Sequence, residues 1–345
     1  MGDEDMQRMI FAFIVAAGIA IVIAPWFIRM LHKLKYGQVE RAEGPHAHSA
    51  KEGTPTMGGI MFIISIVAAV LIFSKYSIAL EYSIPSLLIM LAFGLVGFLD
   101  DFIKVKLKRN LGLRAWQKIV AQFLLAFAAA FFAFKSDFLG SKLYDPIFGE
   151  IELGWFYIPF MMFTIIAIVN SANLTDGLDG LLSGVTLIYS LAMGIIFLYL
   201  ARAFDSGLFS APRFIAESDG MLSMGVFAFA VAGGCLGFLA SNCYPARVFM
   251  GDTGSMALGG AMSAMVIYSR SPFVFLLMGA CIVASAVSVV LQVGSFKLRH
   301  GKRVFKMAPL HHHFEKLGHK ETKIVSGYMI VTALFCLAAL ALFMR

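Results

Sequence analysis

The chain alternates long apolar runs with short polar gaps, and the length of the runs decides its class. A helix rises about 1.5 Å per residue, so about 20 apolar residues cross about 30 Å of hydrocarbon. By that ruler ten runs predict membrane-spanning helices, at 8–31, 58–75, 84–103, 117–135, 155–171, 180–201, 221–241, 256–269, 273–296 and 325–344. The eighth is the shortest. The first is too long for a signal-peptide core and no small-residue cleavage site follows it, so it counts as a span. Between the fourth and fifth, "SKLYDPIFGEIELGWFYIP" alternates apolar residues around Gly149-Glu150, which predicts a small β-hairpin near 141–154. The expected fold is an all-α polytopic membrane protein, residues 1–345 forming one integral membrane domain with both termini on the outer side.

Composition agrees with the pattern. The 345 residues are 59% hydrophobic and only 14% charged, with a mean hydropathy of +0.82. Soluble domains are nearer a quarter charged, so a soluble globule is excluded. Cys235, Cys243, Cys281 and Cys336 lie in or at the ends of spans without metal spacing. They read as small buried hydrophobes with no disulfide framework.

Ten spans put alternate loops on opposite faces. One face collects the loops at about 32–57, 100–118, 170–180, 242–255 and 297–324. With Arg29 at the flank, these hold 20 of the 28 Lys and Arg residues and all eight His. Formal net charge is about +10 on that face and about −3 on the other. The positive-inside rule makes the basic face cytoplasmic. Charge asymmetry alone reports topology, but the unusual polar motifs crowd onto the same face. A secondary transporter, the alternative from another class, would set such groups at the bilayer midplane between repeated halves, and no repeat is visible. An active site at the cytoplasmic mouth is the better reading.

Four constellations lie there. The third span ends in "LDDFIKVKLKRN", where adjacent Asp100 and Asp101 point about 100° apart on a helix. One can approach a metal or a proton while the other serves a neighbouring element. Lys104 and the basic residues after it also fit plain interfacial anchoring. In "NSANLTDGLDGL", Asn173, Asp176 and Asp179 cluster with Gly177 and Leu178, and the two acids share a face if a helix starts at Gly177–Gly180. Capping explains one such residue more easily than the four polar ones Asn170, Asn173, Asp176 and Asp179 in one short gap. In "SNCYPARVFMGDTGS", Asp252 sits among small residues at a helix start, which suits a phosphate and its cation, although a turn with a capping Asp has the same look. Phe249 just before it can stack on a base or anchor in the interface. In "MAPLHHHFEKLGHK", His311, His312 and His313 point apart on one helix and cannot share one metal. With Lys306, Lys316 and Lys320 they look like donors for phosphate oxygens, with one ring able to serve as acid or base. A weaker segment, "KEGTPTMGG", offers Lys51 and Thr56. Carboxylates on three loops in a basic surround favour Mg²⁺ and phosphoryl transfer.

At these residues the chain resembles the phospho-N-acetylmuramoyl-pentapeptide-transferases, a branch of the polyprenyl-phosphate N-acetylhexosamine-1-phosphate transferase superfamily. "LDDFIK", "NSANLTDGLDGL" and "FMGDTGS" are superfamily strings, and "PTMGG" and "MAPLHHHFE" look specific to the branch. The resemblance implies transfer of a phospho-sugar from UDP-N-acetylmuramoyl-pentapeptide to undecaprenyl phosphate, giving lipid I and UMP at the bacterial cytoplasmic membrane. It implies Asp252 as Mg²⁺ ligand, with Asp100 and Asp101 beside it and Asp100 deprotonating the lipid phosphate. Gly177, Leu178 and Asp179 would meet uracil with Lys51 and Phe249. Thr56, Lys104, Asn173, Asp176 and Asn242 would complete the substrate site. His311 would lie nearest the chemistry, with His312 and His313 on phosphates. A homodimer is expected and no nucleic-acid partner. A sibling transferase using UDP-N-acetylglucosamine is the closest alternative, opposed mainly by the histidine loop.

Overall fold

The computed structural model describes residues 3–33, 53–74, 81–107, 112–147, 149–205 and 212–344, the side chains of 3, 204–205 and 212–216 excepted. In chain order the elements are α1 (Asp3–Lys33), α2 (Gly59–Phe73), α3 (Ser83–Lys106) and α4 (Ala115–Lys135), then β1 (Lys142–Asp145) and β2 (Gly149–Glu152). There follow α5 (Tyr157–Thr175), α6 (Leu181–Asp205), α7 (Pro212–Asn242), α8 (Gly251–Ser269), α9 (Pro272–Met278), α10 (Ala280–Leu298), α11 (Leu310–Lys316) and α12 (Glu321–Phe343). A helix meets each of the ten apolar runs, but eight are long and apolar enough to cross a membrane by themselves. These are α1, α3, α4, α5, α6, α7, α10 and α12.

The two remaining runs differ for physical reasons. α2 has only 15 residues. α8 is buried from Thr253 through Ser269, so it packs against protein where small Gly, Ala and Ser residues serve better than Leu or Phe. Its tightest neighbour is α3. A Cβ at Gly97 would lie 2.1 Å from the carbonyl oxygen of Asp252, so only glycine lets the two helices meet there. The ninth run is divided into α9 and α10 at Gly279. Unbroken hydrophobicity carries no sign of such a break.

The hairpin forms as predicted, antiparallel with Lys142 opposite Glu152 and Asp145 opposite Gly149. The Tyr144 N–H donates to the Arg270 carbonyl at 2.7 Å, tying the hairpin to the C-terminal end of α8. Tyr82, Phe138 and Tyr268 pack at this end of the bundle, where the Tyr268 hydroxyl donates to the Glu81 carbonyl at 2.6 Å. Asn170 has a structural use: its amide donates to the Gln122 side chain at 2.9 Å and to the Ile166 carbonyl at 2.8 Å, joining α5 to α4. Cys235, Cys281 and Cys336 are buried, but Cys243 is exposed, which corrects the expectation for it. It lies one residue past the end of α7, in the polar turn rather than the span.

Candidate active site

The end of the bundle opposite the hairpin gathers the acidic motifs. Asp100 and Asp101 lie in the last two turns of α3 and are nearly inaccessible, at 4% and 3% exposure. Their divergence on the helix separates their tasks. Asp101 Oδ2 accepts hydrogen bonds from the Thr253 backbone N–H and the Thr253 hydroxyl, both at 2.8 Å, and so caps the first turn of α8. One Asp100 oxygen accepts from the Leu113 N–H at 2.8 Å and the other meets Lys104 Nζ at 2.5 Å. Asp252 stands in the first turn of α8, facing this pair. Its Oδ2 lies 2.9 Å from Lys104 Nζ and 3.1 Å from Lys118 Nζ, and its Oδ1 accepts from the Asn173 amide at 2.8 Å. The same amide nitrogen lies 2.8 Å from the Ser255 hydroxyl.

Ligand oxygens of Asp100, Asp101 and Asp252 lie within 4.8 Å of one another. Three carboxylates against two ammonium groups leave an excess of negative charge and hard oxygen donors, the set a divalent cation takes. The helix start at Asp252 adds backbone N–H groups suited to an anion alongside.

The 176–180 segment departs from expectation. α5 ends at Thr175 and α6 begins at Leu181, so Asp176 and Asp179 lie in a turn and share no helical face. Gly180, at φ +78°, takes the left-handed conformation that makes the turn. Asp179 is buried: its carboxylate accepts from the Ala246 N–H at 2.9 Å and its own N–H donates to Glu321 at 2.6 Å. Asp176 is half-buried. Desolvation, then the negative charges of Asp252, Asp101 and Asp179, push its carboxyl well above the usual carboxylate range. Leu178 is buried in the core. Asn242 is also buried, its oxygen accepting from the Gly180 N–H and the Ser183 hydroxyl while its nitrogen donates to the Val248 carbonyl. It holds the two loops together.

Thr56 is buried and Phe249 half-buried. The Phe249 N–H donates to the Pro55 carbonyl at 2.8 Å, and its own carbonyl accepts from Gly58 at 2.8 Å, which seats the 53–58 segment on this end. Lys51 lies outside the described residues.

The three histidines do separate. His313 Nδ1 accepts from the Lys306 N–H at 3.1 Å, and His312 Nδ1 lies 2.6 Å from Glu315. His311 alone turns inward, fully buried against Gly177: a Cβ at that glycine would lie 2.2 Å from His311 Nε2. Neither ring nitrogen has a hydrogen-bond partner among the described residues. Burial, with the neighbouring His312 ring, pushes His311 down to about 3, so the imidazole is neutral at ordinary pH. A buried polar group without a partner calls for a specific reason, and at the edge of this site a ligand is one. The loop that carries it is pinned by Gln292, whose oxygen accepts from Val304 and Phe305 and whose amide donates to the Phe305 carbonyl.

Lys118, which the sequence leaves open between substrate and lipid headgroups, joins this site, and Ser255, Glu321 and Gln292 join or support it without having been named as site residues. Lys118 and Ser255 had a signal, one a helical turn beyond Arg114 and the other inside the "GDTGS" string. Glu321 and Gln292 had none, because each acts through a backbone contact formed only in the fold.

Residues 83–270 match the model of glycosyl transferase family 4, and residues 51–63 match signature 1 of phospho-N-acetylmuramoyl-pentapeptide-transferase. The phospho-N-acetylmuramoyl-pentapeptide-transferase of Clostridioides difficile (strain 630) is 46% identical over 328 residues, covering 95% of each chain. The chain belongs to this family. The enzymes of that name from Caldicellulosiruptor bescii and Clostridium novyi are 46% and 42% identical, covering 96% of this chain in each case and 97% and 96% of their own. The family match makes the chain a transferase enzyme, and its apolar helices make it a multi-pass membrane protein. The family model spans the helices that bear Asp100, Asp101, Lys104, Lys118, Asn173 and Asp252.

Proposed function

We propose that the enzyme transfers phospho-N-acetylmuramoyl-pentapeptide from its UDP derivative to undecaprenyl phosphate, yielding lipid I and UMP at the cytoplasmic face of the membrane. The observation that carries this reading is the buried cluster of Asp100, Asp101 and Asp252 faced by Lys104 and Lys118. Asp252 and Asp100 would hold Mg²⁺, with Asp101 behind them as the cap of α8. The cation, when bound, neutralises charge on the pyrophosphate.

The favoured route is direct. An oxygen of the lipid phosphate attacks the sugar-side phosphorus, a new P–O bond forms, and the bond to UMP breaks. Asp100 takes the proton of the lipid phosphate if one is present. Lys104 and Lys118, already aimed at Asp252, face the developing negative charge. A loose transition state asks mainly for such positioning. His311, neutral and unpaired beside Gly177, is free to donate a hydrogen bond to a phosphate oxygen. Asp176, Asn173 and Phe249 frame the nucleotide side, with the 176–180 turn held by Asn242 and Glu321.

The deciding experiment is UMP release by the purified protein with undecaprenyl phosphate and Mg²⁺, comparing UDP-N-acetylmuramoyl-pentapeptide with UDP-N-acetylglucosamine. Release with the muramoyl nucleotide alone, abolished by EDTA, is expected. Release with the glucosamine nucleotide would overturn the substrate assignment. Release undiminished by EDTA would overturn the metal.

A further inference from the structure

One flank of α11 carries a cleft whose lining includes no residue of the acidic cluster. It has a volume of about 590 Å³ and lies between the C-terminal part of α10, the 303–308 segment and Lys316. Four cations converge on it, Lys297, Arg303, Lys306 and Lys316, and no carboxylate lines it. Among the described residues none of the four makes an ion pair. Apart from Gln292 the remaining wall is apolar. Val293 and Phe296 are 48% and 50% exposed and run on into the outward face of α10.

We propose that this cleft binds one anionic diacyl phospholipid, its phosphodiester held by the four cations and its chains lying along Val293 and Phe296. Basic residues at a membrane interface commonly do no more than set topology, but those fan outward, whereas these face one concave site. Two hydrogen-bonded pins make the concavity: Gln292 on the 304–305 backbone, and the Ser295 hydroxyl donating to the Lys302 carbonyl at 2.9 Å. An inorganic phosphate would satisfy the cations and leave the apolar wall in water. A zwitterionic lipid would bring its own positive charge against the lysines. The acceptor lipid is disfavoured by direction: the cleft is on the side of Lys306 and His313, whereas His311 turns the other way, toward Gly177. Lys306 links the cleft to the histidine segment through its N–H on His313 and its Nζ, 3.4 Å from the Lys316 carbonyl. A bound headgroup therefore steadies α11.

The test is lipid binding to the full-length chain in neutral detergent, read by native mass spectrometry with phosphatidylglycerol and with phosphatidylcholine. One phosphatidylglycerol is expected to bind in preference to phosphatidylcholine, with affinity falling as salt rises. Lys297→Gln with Arg303→Gln should weaken it about 30-fold, each single change about fivefold, from the usual contribution of one interfacial cation. Both side chains are solvent-exposed, so the fold is retained, and Lys142→Gln at the hairpin end serves as the unaffected control. Equal binding of the two lipids, or wild-type binding by the double variant, overturns the proposal. Displacement of phosphatidylglycerol by an equimolar amount of undecaprenyl phosphate overturns it too, since the cleft would then belong to the acceptor. Each readout is binding rather than turnover, so it stands or falls apart from the proposed reaction.

Discussion

At the scale of the residue, charge count decides what the cluster tolerates. Three carboxylates face two ammonium groups, so removing one carboxylate relieves repulsion even as it strips a ligand. Asp252→Ala is therefore expected to keep the fold and lower kcat by about 10³-fold or more, the usual weight of a preorganised charge at phosphorus. UMP release beside thermal unfolding checks both halves, and near-normal turnover in a folded Asp252→Ala sample would remove Asp252 from the chemistry. His311 gives a signed pH effect. Its folded pKa of about 3 lies below the ordinary 6.5, so between those values the unfolded chain binds a proton that the folded chain refuses. The stabilisation is complete above pH 6.5 and is lost as pH falls, by roughly 1–2 kcal/mol at pH 5. Lowering the pH from 7.5 to 5 should cost wild type more in unfolding temperature than it costs His311→Gln; parallel losses would mean that the ring is not held neutral. The sequence made the histidines visible as a run, and their divergence followed from helical geometry. Helical geometry alone does not say which of the three turns inward, because that choice depends on the missing side chain of Gly177, 134 positions away; His311 was singled out by the family resemblance only.

At the scale of the element, the Asp100-Asp101 pair shows how a helix end divides labour. Two adjacent acids diverging by about 100° can serve two partners, and here one serves the start of α8 and the other faces Lys104. Asp101→Ala removes two hydrogen bonds to a charged acceptor and uncaps α8, at a cost of about 2–3 kcal/mol. Asp100→Asn keeps an acceptor for the Leu113 N–H and loses only charge. The expected pattern is a clear drop in unfolding temperature for Asp101→Ala with a small one for Asp100→Asn, while both lose turnover. Equal thermal losses would show that the two acids share one role. Such division was legible in the spacing; the identity of the capped element was not. The 176–180 segment taught the reverse lesson. A three-residue spacing of acids looks helical on paper, but Gly180 at φ +78° makes a turn, and the two carboxylates part: Asp179 to the Ala246 backbone, Asp176 to the edge of the cluster.

At the scale of the molecule, apolar run length located every long helix, because burial in lipid imposes one simple rule on composition. It fell short at α8 and at the α9–α10 break. α8 is enclosed from Thr253 to Ser269 and needs small residues for close approach, so its run reads short, whereas the α9–α10 break at Gly279 falls inside a continuously apolar run and leaves no mark in hydropathy. The ends of the bundle are distinct: aromatic packing and a hairpin at one, and at the other the acids, the lysines and the histidine segment. The proposed reaction needs the second end in the cytoplasm, the side the positive-inside rule predicts, and the chain carries a natural probe of that orientation. Of its four free cysteines, only Cys243 is exposed, and it lies in the turn between Asn242 and Phe249 at the site end. A thiolate must be reached by water to react, and the three other thiols are buried. A membrane-impermeant maleimide should therefore label one cysteine per chain in inside-out vesicles and none in sealed right-side-out ones, with Cys243→Ser abolishing the signal. Labelling only from the outer side would invert the topology. The nucleotide-sugar would then have no access to the acids from the cytosol, and the proposed reaction would fail with it.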